Sequence, residues 1–327
     1  MTGAHPAALA ALALAASMAV AVVPRTAGAD DSHDSHDSHD SDEAEGPKFP
    51  TSPDELSAPR LPPPFVLPDL SHESWDFGMG WMMGVATAHR DGGTSPVLAL
   101  ARATVEGDIV LPRRLYIGAT LPFASGLTAD GSSGARTVAG NVELHGRIVF
   151  PLPSWLAFGA VFGVVAPTAR YDRDSPAHAA AVAATSLEPT DALYFTPGAV
   201  ALRPAMDMRI IRGPLIVQAR QGIDIEIASQ TGRTVTTGRF LGHIGVHIQR
   251  DIEISVEATQ VYLFDERVPD NRRTAITLGP GARIPVGPVD IGAALVTNVF
   301  APLSPEIDRF LAMRISLVVH LEQSRAP

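Results

Sequence analysis

The sequence predicts an all-β chain: a single antiparallel up-and-down transmembrane β-barrel of about twelve strands, preceded by a disordered N-terminal tail. Three observations carry this. Over residues 75–321, apolar side chains recur at every second position in twelve runs, the period of a strand with one apolar and one polar face. The connections between runs alternate short and long. The polar-face charges are Arg, Asp, Glu and His, whereas the only lysine, Lys48, stands before the first run. Composition agrees: 46% hydrophobic and 18% charged residues, at a mean hydropathy of +0.13, are too apolar for an unfolded chain and too polar for a bundle of membrane helices.

The N-terminal segments come first. Residues 7–23 are an Ala-rich apolar run, followed by Pro24, Arg25 and the small-residue site Ala27-Gly28-Ala29. Residues 1–29 thus read as a secretory signal peptide cleaved after Ala29, with a short membrane anchor as the other reading. Residues 30–46 form an acidic Asp-Ser-His low-complexity tail with eight acids and no Lys or Arg. Of the formal charge of −10, this tail holds most; outside the first 46 residues, 27 acids face 24 bases. No basic stripe exists to neutralise phosphates, so nucleic acid is not an expected partner. His33, His36 and His39 repeat every third residue among carboxylates, so the tail is a solvated spacer or a place for a divalent metal. Residues 47–74 are a Pro-rich linker, expected to be periplasmic and extended.

The twelve runs are 75–86, 97–109, 115–121, 138–150, 156–164, 200–210, 215–227, 240–248, 252–258, 276–284, 289–295 and 311–321, with a C-terminal tail at 322–327. Most approach the ~9–11 residues that cross a bilayer at a tilt. In the fourth run Val138 shares the outward face with Leu144 and Phe150. Turns after the even runs are short, at Pro112-Arg113, 151–154, Gly213-Pro214, Arg250-Asp251 and Gly287-Pro288. Those after the odd runs are long, at 89–96, 124–136, 169–192, 228–237, 265–273 and 301–309. A soluble sandwich would show no such alternation. Trp75, Phe77, Phe150 and Trp155 fall toward the short-turn side, and Phe123, Tyr194, Phe240, Tyr262 and Phe264 toward the long-loop side, as two interfacial girdles would.

This pattern resembles bacterial outer-membrane β-barrel proteins of porin or transporter type. The last run, ending Ser316-Leu317-Val318-Val319-His320-Leu321, is similar to the terminal signal read by the barrel-assembly machinery, with aliphatic residues in place of an aromatic and six residues following. Residues 163–168, ending Pro167-Thr168, are similar to a Pro-Thr-Gly at a strand end in transporters associated with aromatic-degradation pathways, with Ala169 in place of the Gly. The resemblance implies the outer membrane as location, and outer-membrane lipid, lipopolysaccharide and the assembly machinery as partners.

The parity rule also places lumen charges. If Gly213-Pro214 is a two-residue turn, Asp207 faces Arg220 and Arg203 faces Asp224, all inward and opposite in sign. If residues 249–251 form the next turn, His247 faces Glu253 and His243 faces Glu257. That strip is a rigidifying network, a proton-responsive element or a metal holder. Arg102, Arg147, Arg239, Arg283 and Arg314 point inward as well. The Ala-rich stretch 176–187, with Ser175 as N-cap and Pro189 as stop, predicts a short helix that either enters the mouth as a constriction or, the preferred reading, lies on the rim.

The expected function is a channel or transporter passing an unidentified small solute through a charge-lined lumen, without cofactor. The rivals are a closed structural or surface-interaction barrel and an outer-membrane hydrolase. No GxSxG, HExxH, P-loop or Rossmann pattern occurs, so no enzyme is expected. The mature chain should start at Asp30 by intact mass and sit in the membrane fraction with heat-modifiable gel migration. Recovery as a soluble periplasmic protein would overturn the reading.

Overall fold

The computed structural model describes residues 74–322, apart from 91–92, 112–114, 129–135, 152–154, 173–174, 230–231, 233, 250–251, 270–271 and 300–308. The signal segment, the tail with His33, His36 and His39, the Pro-rich linker and residues 323–327 lie outside the described residues.

One antiparallel sheet closes on itself. Its strands are β1 (Ser74–Arg90), β2 (Gly93–Leu111), β3 (Leu115–Thr128), β4 (Arg136–Ala139), β5 (Val142–Pro151), β6 (Leu156–Ala166) and β7 (Val200–Arg212), then β8 (Leu215–Ala228), β9 (Thr236–Gln249), β10 (Ile252–Leu263), β11 (Thr274–Val286), β12 (Val289–Asn298) and β13 (Arg309–Glu322). Sequence neighbours pair, apart from β4 and β5, and β1 pairs with β13 to close the ring. The short β4 pairs only with β3, which β5 then takes up, so the two together make one stave and the barrel has twelve.

The alternation has a physical cause. Outward positions such as Met206, 66% exposed, and Leu144, 59% exposed, form a continuous aliphatic wall that water would penalise and lipid accepts. Inward positions carry the polar and small residues. Closure removes the open sheet edges that a bilayer does not tolerate, because lipid offers backbone groups no hydrogen-bond partner.

Four local features differ from the sequence expectation. Residues 89–96 are mostly hairpin, because β1 runs to Arg90 and β2 starts at Gly93, with a register shift at Ala86/Thr87. Val138 is buried and faces the lumen, because one extra residue at Gly140-Asn141 changes the β3 pairing from Phe123↔Ala139 to Thr120↔Glu143. That bulge reverses the inward face between β4 and β5. The β9–β10 turn is two residues long; a bulge at Ile252/Glu253 then restores the His247↔Glu253 register. The fourth difference is the place of the helix.

The helix α1 (Pro176–Leu187) has the predicted bounds, but it lies inside the barrel rather than on its rim. Ala180, Ala181 and Ala184 pack with Ala124, Val138, Val165 and Ala201 on one wall. Ala183 and Leu187 pack with Met82, Ala86, Ala294 and Ala312 on the other. A 3-10 segment, Pro189–Phe195, continues it back to β7. Ser175 is the N-cap residue, yet its hydroxyl donates back to the Asp172 carbonyl (2.6 Å) instead of capping α1. Composition explains the position: residues 176–187 carry no Asp, Glu, Lys or Arg, so a rim helix would have no charged face for water.

Gly213 adopts φ 54° and Gly287 φ 61°, the left-handed backbone that a tight Gly-Pro hairpin turn needs. These turns and the loops at Arg267 emerge at opposite ends. If the short turns are periplasmic, a cysteine replacing Arg267 should react with a membrane-impermeant maleimide on intact cells and one replacing Pro214 should not. The reverse labelling would invert the topology.

Candidate functional site

The register lines up charges across adjacent staves. Asp207 pairs with Arg220, and Arg220 donates from Nε (2.5 Å) and Nη2 (2.8 Å) to the two carboxylate oxygens. Arg203 reaches Asp224 through Nε (3.0 Å), and Arg239 lies against the same carboxylate at 2.5 Å. Thus one acid on β8 serves an arginine on each flanking stave.

Arg203 does more than the parity rule foresaw. Its Nη1 donates to Glu143 on β5 (2.5 Å) and its Nη2 to the Thr190 carbonyl of the 3-10 segment (2.9 Å), with Asp191 at 3.8 Å. Its guanidinium stacks 4.7 Å above the Tyr194 ring, and the Tyr194 hydroxyl donates to Glu143 (2.6 Å). Tyr194 is therefore a lumen residue and not part of an interfacial girdle. Burial pushes the Tyr194 and Tyr171 hydroxyls well above their usual range, so both remain protonated donors, Tyr171 to the Phe195 carbonyl.

A second anchor lies across the lumen. Arg314 on β13 donates to Glu188, the residue that ends α1, and through Nη1 to Glu257 on β10 (3.0 Å). Glu257 also accepts from Arg283 Nη2 (2.8 Å). The third anchor is Asn141, in the β4–β5 bulge. Its Nδ2 donates to the Leu193 (2.8 Å) and Thr196 (2.6 Å) carbonyls, and its Oδ1 accepts from Ala169 N–H (2.8 Å). Thr168 closes the same corner, donating to the Gly140 carbonyl at 2.9 Å. The segment from Ala169 to Thr196 is thereby a plug, pinned to β13 by Glu188, to β7 by Thr190, and to the bulge by Asn141.

The His/Glu strip is arranged differently from the pairing. His243 faces Glu257 and His247 faces Glu253, as the turn implied. The His243 ring, however, bridges both acids, Nε2 to Glu253 (2.5 Å) and Nδ1 to Glu257 (3.3 Å). Gly245 explains this: a Cβ there would collide with Glu253 and His243, so its absence leaves the gap in which they meet. Gly163 does the same for Glu143 on its way to Arg203. His247 Nε2 and Ser255 Oγ have no hydrogen-bond partner, and both His243 nitrogens are engaged by carboxylates. Among the described residues no group of three or more His, Asp or Glu is placed to hold a metal ion.

Three residues with no role in the sequence reading close the barrel seam. His320 on β13 contacts Asp76 on β1 through Nδ1 (2.7 Å) and Asp290 on β12 through Nε2 (2.8 Å). Their shared inward parity at strand ends was the available signal. Arg147 stacks 4.5 Å over Tyr116. The Arg102 side chain lies outside the described residues; its backbone pairs with Met82 and Ala124.

Between plug and wall lies a cavity of about 140 Å3. Arg147, Arg203, Arg220, Arg239 and Arg314 line it together with Glu143 from the wall and Glu188 and Asp191 from the plug, and Thr104, Thr120 and Ser316 add hydroxyls.

No family model matches the sequence, and no curated protein matches it. Among solved structures, the fold is similar to an outer-membrane channel from Pseudomonas putida F1, with TM-score 0.57 and 13% identity over 78% of this chain and 98% of that one. The KdgM porin (TM-score 0.44, 10% identity, 76% of this chain and 99% of that one) and the NanC porin (TM-score 0.45, 10% identity, 76% and 100%) are more distant. The chain has the outer-membrane β-barrel fold. None of these comparisons bears on the likeness of residues 163–168 to aromatic-degradation transporters.

Asp207 is 1% exposed, so removing its partner strands a buried charge. Arg220→Ala, which leaves the Asp207 carboxylate unpaired, should lower unfolding stability by about 3–5 kcal/mol, well beyond a surface pair, and adding Asp207→Ala should recover part of the loss. Strict additivity in the double-mutant cycle would show that the pair is not coupled.

Proposed function

We propose that the protein is a plugged outer-membrane channel, admitting small hydrophilic solutes when the 169–196 segment shifts from the lumen. The observation that carries this is the polar cavity between the arginine wall and the plug. A barrel serving only as a scaffold has no need of a space lined with charge. The mechanism rests on where the plug's contacts lie. Its polar anchors, Glu188 with Arg314 and Thr190 with Arg203, are charge-assisted and become hydrated on release. The apolar contacts of α1 are mostly alanines, which bury little surface each, whereas Leu193, Tyr194 and Phe195 pack the end of the segment that adjoins β7. Such a plug is positioned precisely enough to close the lumen, yet held by groups that water can satisfy. Solute passing the arginine wall would be selected by charge and hydrogen bonding rather than by apolar fit. The unidentified solute, the lipid and lipopolysaccharide around the barrel, the assembly machinery and a metal at His33, His36 and His39 belong to this reading as proposed partners.

Single-channel recording in planar bilayers tests it. The wild type should show small, infrequent openings. Glu188→Gln, which removes the charge held by Arg314, should raise open probability several-fold, and replacing residues 176–187 with a short Gly-Ser link should raise conductance as well. Equal, absent conductance in all three, with heat-modifiable migration intact, would favour the closed structural barrel.

A further inference from the structure

We propose that the cavity beside the plug is an anion-binding site, taking the carboxylate or phosphate group of a small solute, and that this anion competes with the plug's own acids for the same arginines. The inference deepens the channel reading above and rests on it for its consequence, though not for its geometry.

Five arginines line the cavity: Arg147, Arg203, Arg220 and Arg239 from β5, β7, β8 and β9, and Arg314 from β13. The acids that balance two of these staves sit behind them: Asp207 and Asp224 are 1% and 3% exposed and do not line the cavity. Only Glu143 adds a carboxylate to that wall. The surface a solute meets on this side is therefore cationic although the wall as a whole is nearly balanced. The remaining lining carboxylates, Glu188 and Asp191, come from the plug. Glu188 is bonded to Arg314 and Asp191 lies 3.8 Å from Arg203. When the plug withdraws, Arg203 and Arg314 lose two anionic neighbours and the Thr190 carbonyl, and the wall's cationic character rises.

Guanidinium forks match planar carboxylates and phosphates, and they do so best in a confined site where water screens less. Arg147, stacked on Tyr116, and Arg203, stacked on Tyr194, hold their planes fixed in advance. At about 140 Å3 the cavity has room for a small anionic group. Hydroxyls of Thr104, Thr120 and Ser316 are available to the rest of the solute. By linkage, an anion that occupies the arginines freed by the plug favours the plug-out state by its differential affinity for it. The plug's acids act as an internal ligand that holds the lumen closed until an external anion replaces them.

The test is calorimetric titration of the full-length mature barrel, refolded in detergent, with sodium phosphate and with sodium acetate. Sodium chloride at matched ionic strength is the reference. Wild type should bind at least one of the two in the millimolar range. Glu188→Gln combined with Asp191→Asn should tighten binding about tenfold, because the competing acids are gone. Arg239→Gln in that background should weaken it about tenfold and Arg239→Lys should retain most of it, while heat-modifiable migration shows that each variant is folded. Binding of acetate alone, or of phosphate alone, supports the site and identifies which group the solute carries. Absence of heat with both anions in the Glu188→Gln/Asp191→Asn barrel overturns the anion site even if that barrel conducts ions. Anion binding together with a barrel that never conducts leaves the site standing and overturns the channel reading.

Discussion

Arg203 is the interaction on which the interior depends. It is 3% exposed, stands on β7, and uses all three guanidinium nitrogens: Nε on Asp224, Nη1 on Glu143 and Nη2 on the Thr190 carbonyl. A lone guanidinium in that position would carry a desolvation cost of several kcal/mol. The surrounding sequence is arranged to avoid it. Gly163 leaves the room through which Glu143 reaches across β6, Tyr194 supplies a stacking face and a hydroxyl for Glu143, and Asp224 is shared with Arg239. One cation therefore binds β5, β7, β8 and the plug into a single arrangement.

Twelve staves make such an interior necessary. With about eight strands, side chains alone fill a barrel; with sixteen or more, the lumen is an aqueous channel. Twelve leave a space too wide for side chains and too narrow for a large folded insert. A single helix with an alanine surface fits it, touching Met82 and Ala312 on one side and Val138 and Val165 on the other. The identity of the filling residue follows: larger side chains on α1 would not clear both walls, and charged ones would need partners that the apolar parts of the wall do not offer.

Much of this was legible from pattern. A period of two assigns faces, and the Gly213-Pro214 turn fixes the register that puts Asp207 opposite Arg220 and Arg203 beside Asp224. Those arguments work because they are local: a short turn, a parity and a pair of opposite charges. They fail where the chain leaves the ladder. The extra residue at Gly140-Asn141 reverses Val138, and nothing in the alternation of the run reveals one inserted residue. The bridge from His243 to Glu253 runs along the wall through the gap at Gly245, a contact that register pairing does not express. Glu188 meets Arg314 across 126 positions, through a loop whose path no period encodes. The position of α1 had a readable signal in its lack of charge, which outweighs a default preference for the rim.

The same distinction bears on how a closed lumen can open. An apolar plug is held in proportion to the surface it hides from water, and that loss is recovered nowhere along the way out. An ionic plug is different. Glu188 and Arg314 were both desolvated to meet, and a buried pair gains little over its hydrated parts even though either group alone would be costly. Withdrawal into an aqueous lumen returns hydration to both at once. The cost of opening then falls mainly on the small apolar contacts of α1, while the hydrogen bonds of Asn141 hold the base of the plug at the β4–β5 bulge. Asn141 carries no charge and would not respond to an arriving ion. Its carbonyl partners, Leu193 and Thr196, lie at the end of the segment adjoining β7, so the geometry favours movement of α1 and Glu188 about an end that stays attached to the wall.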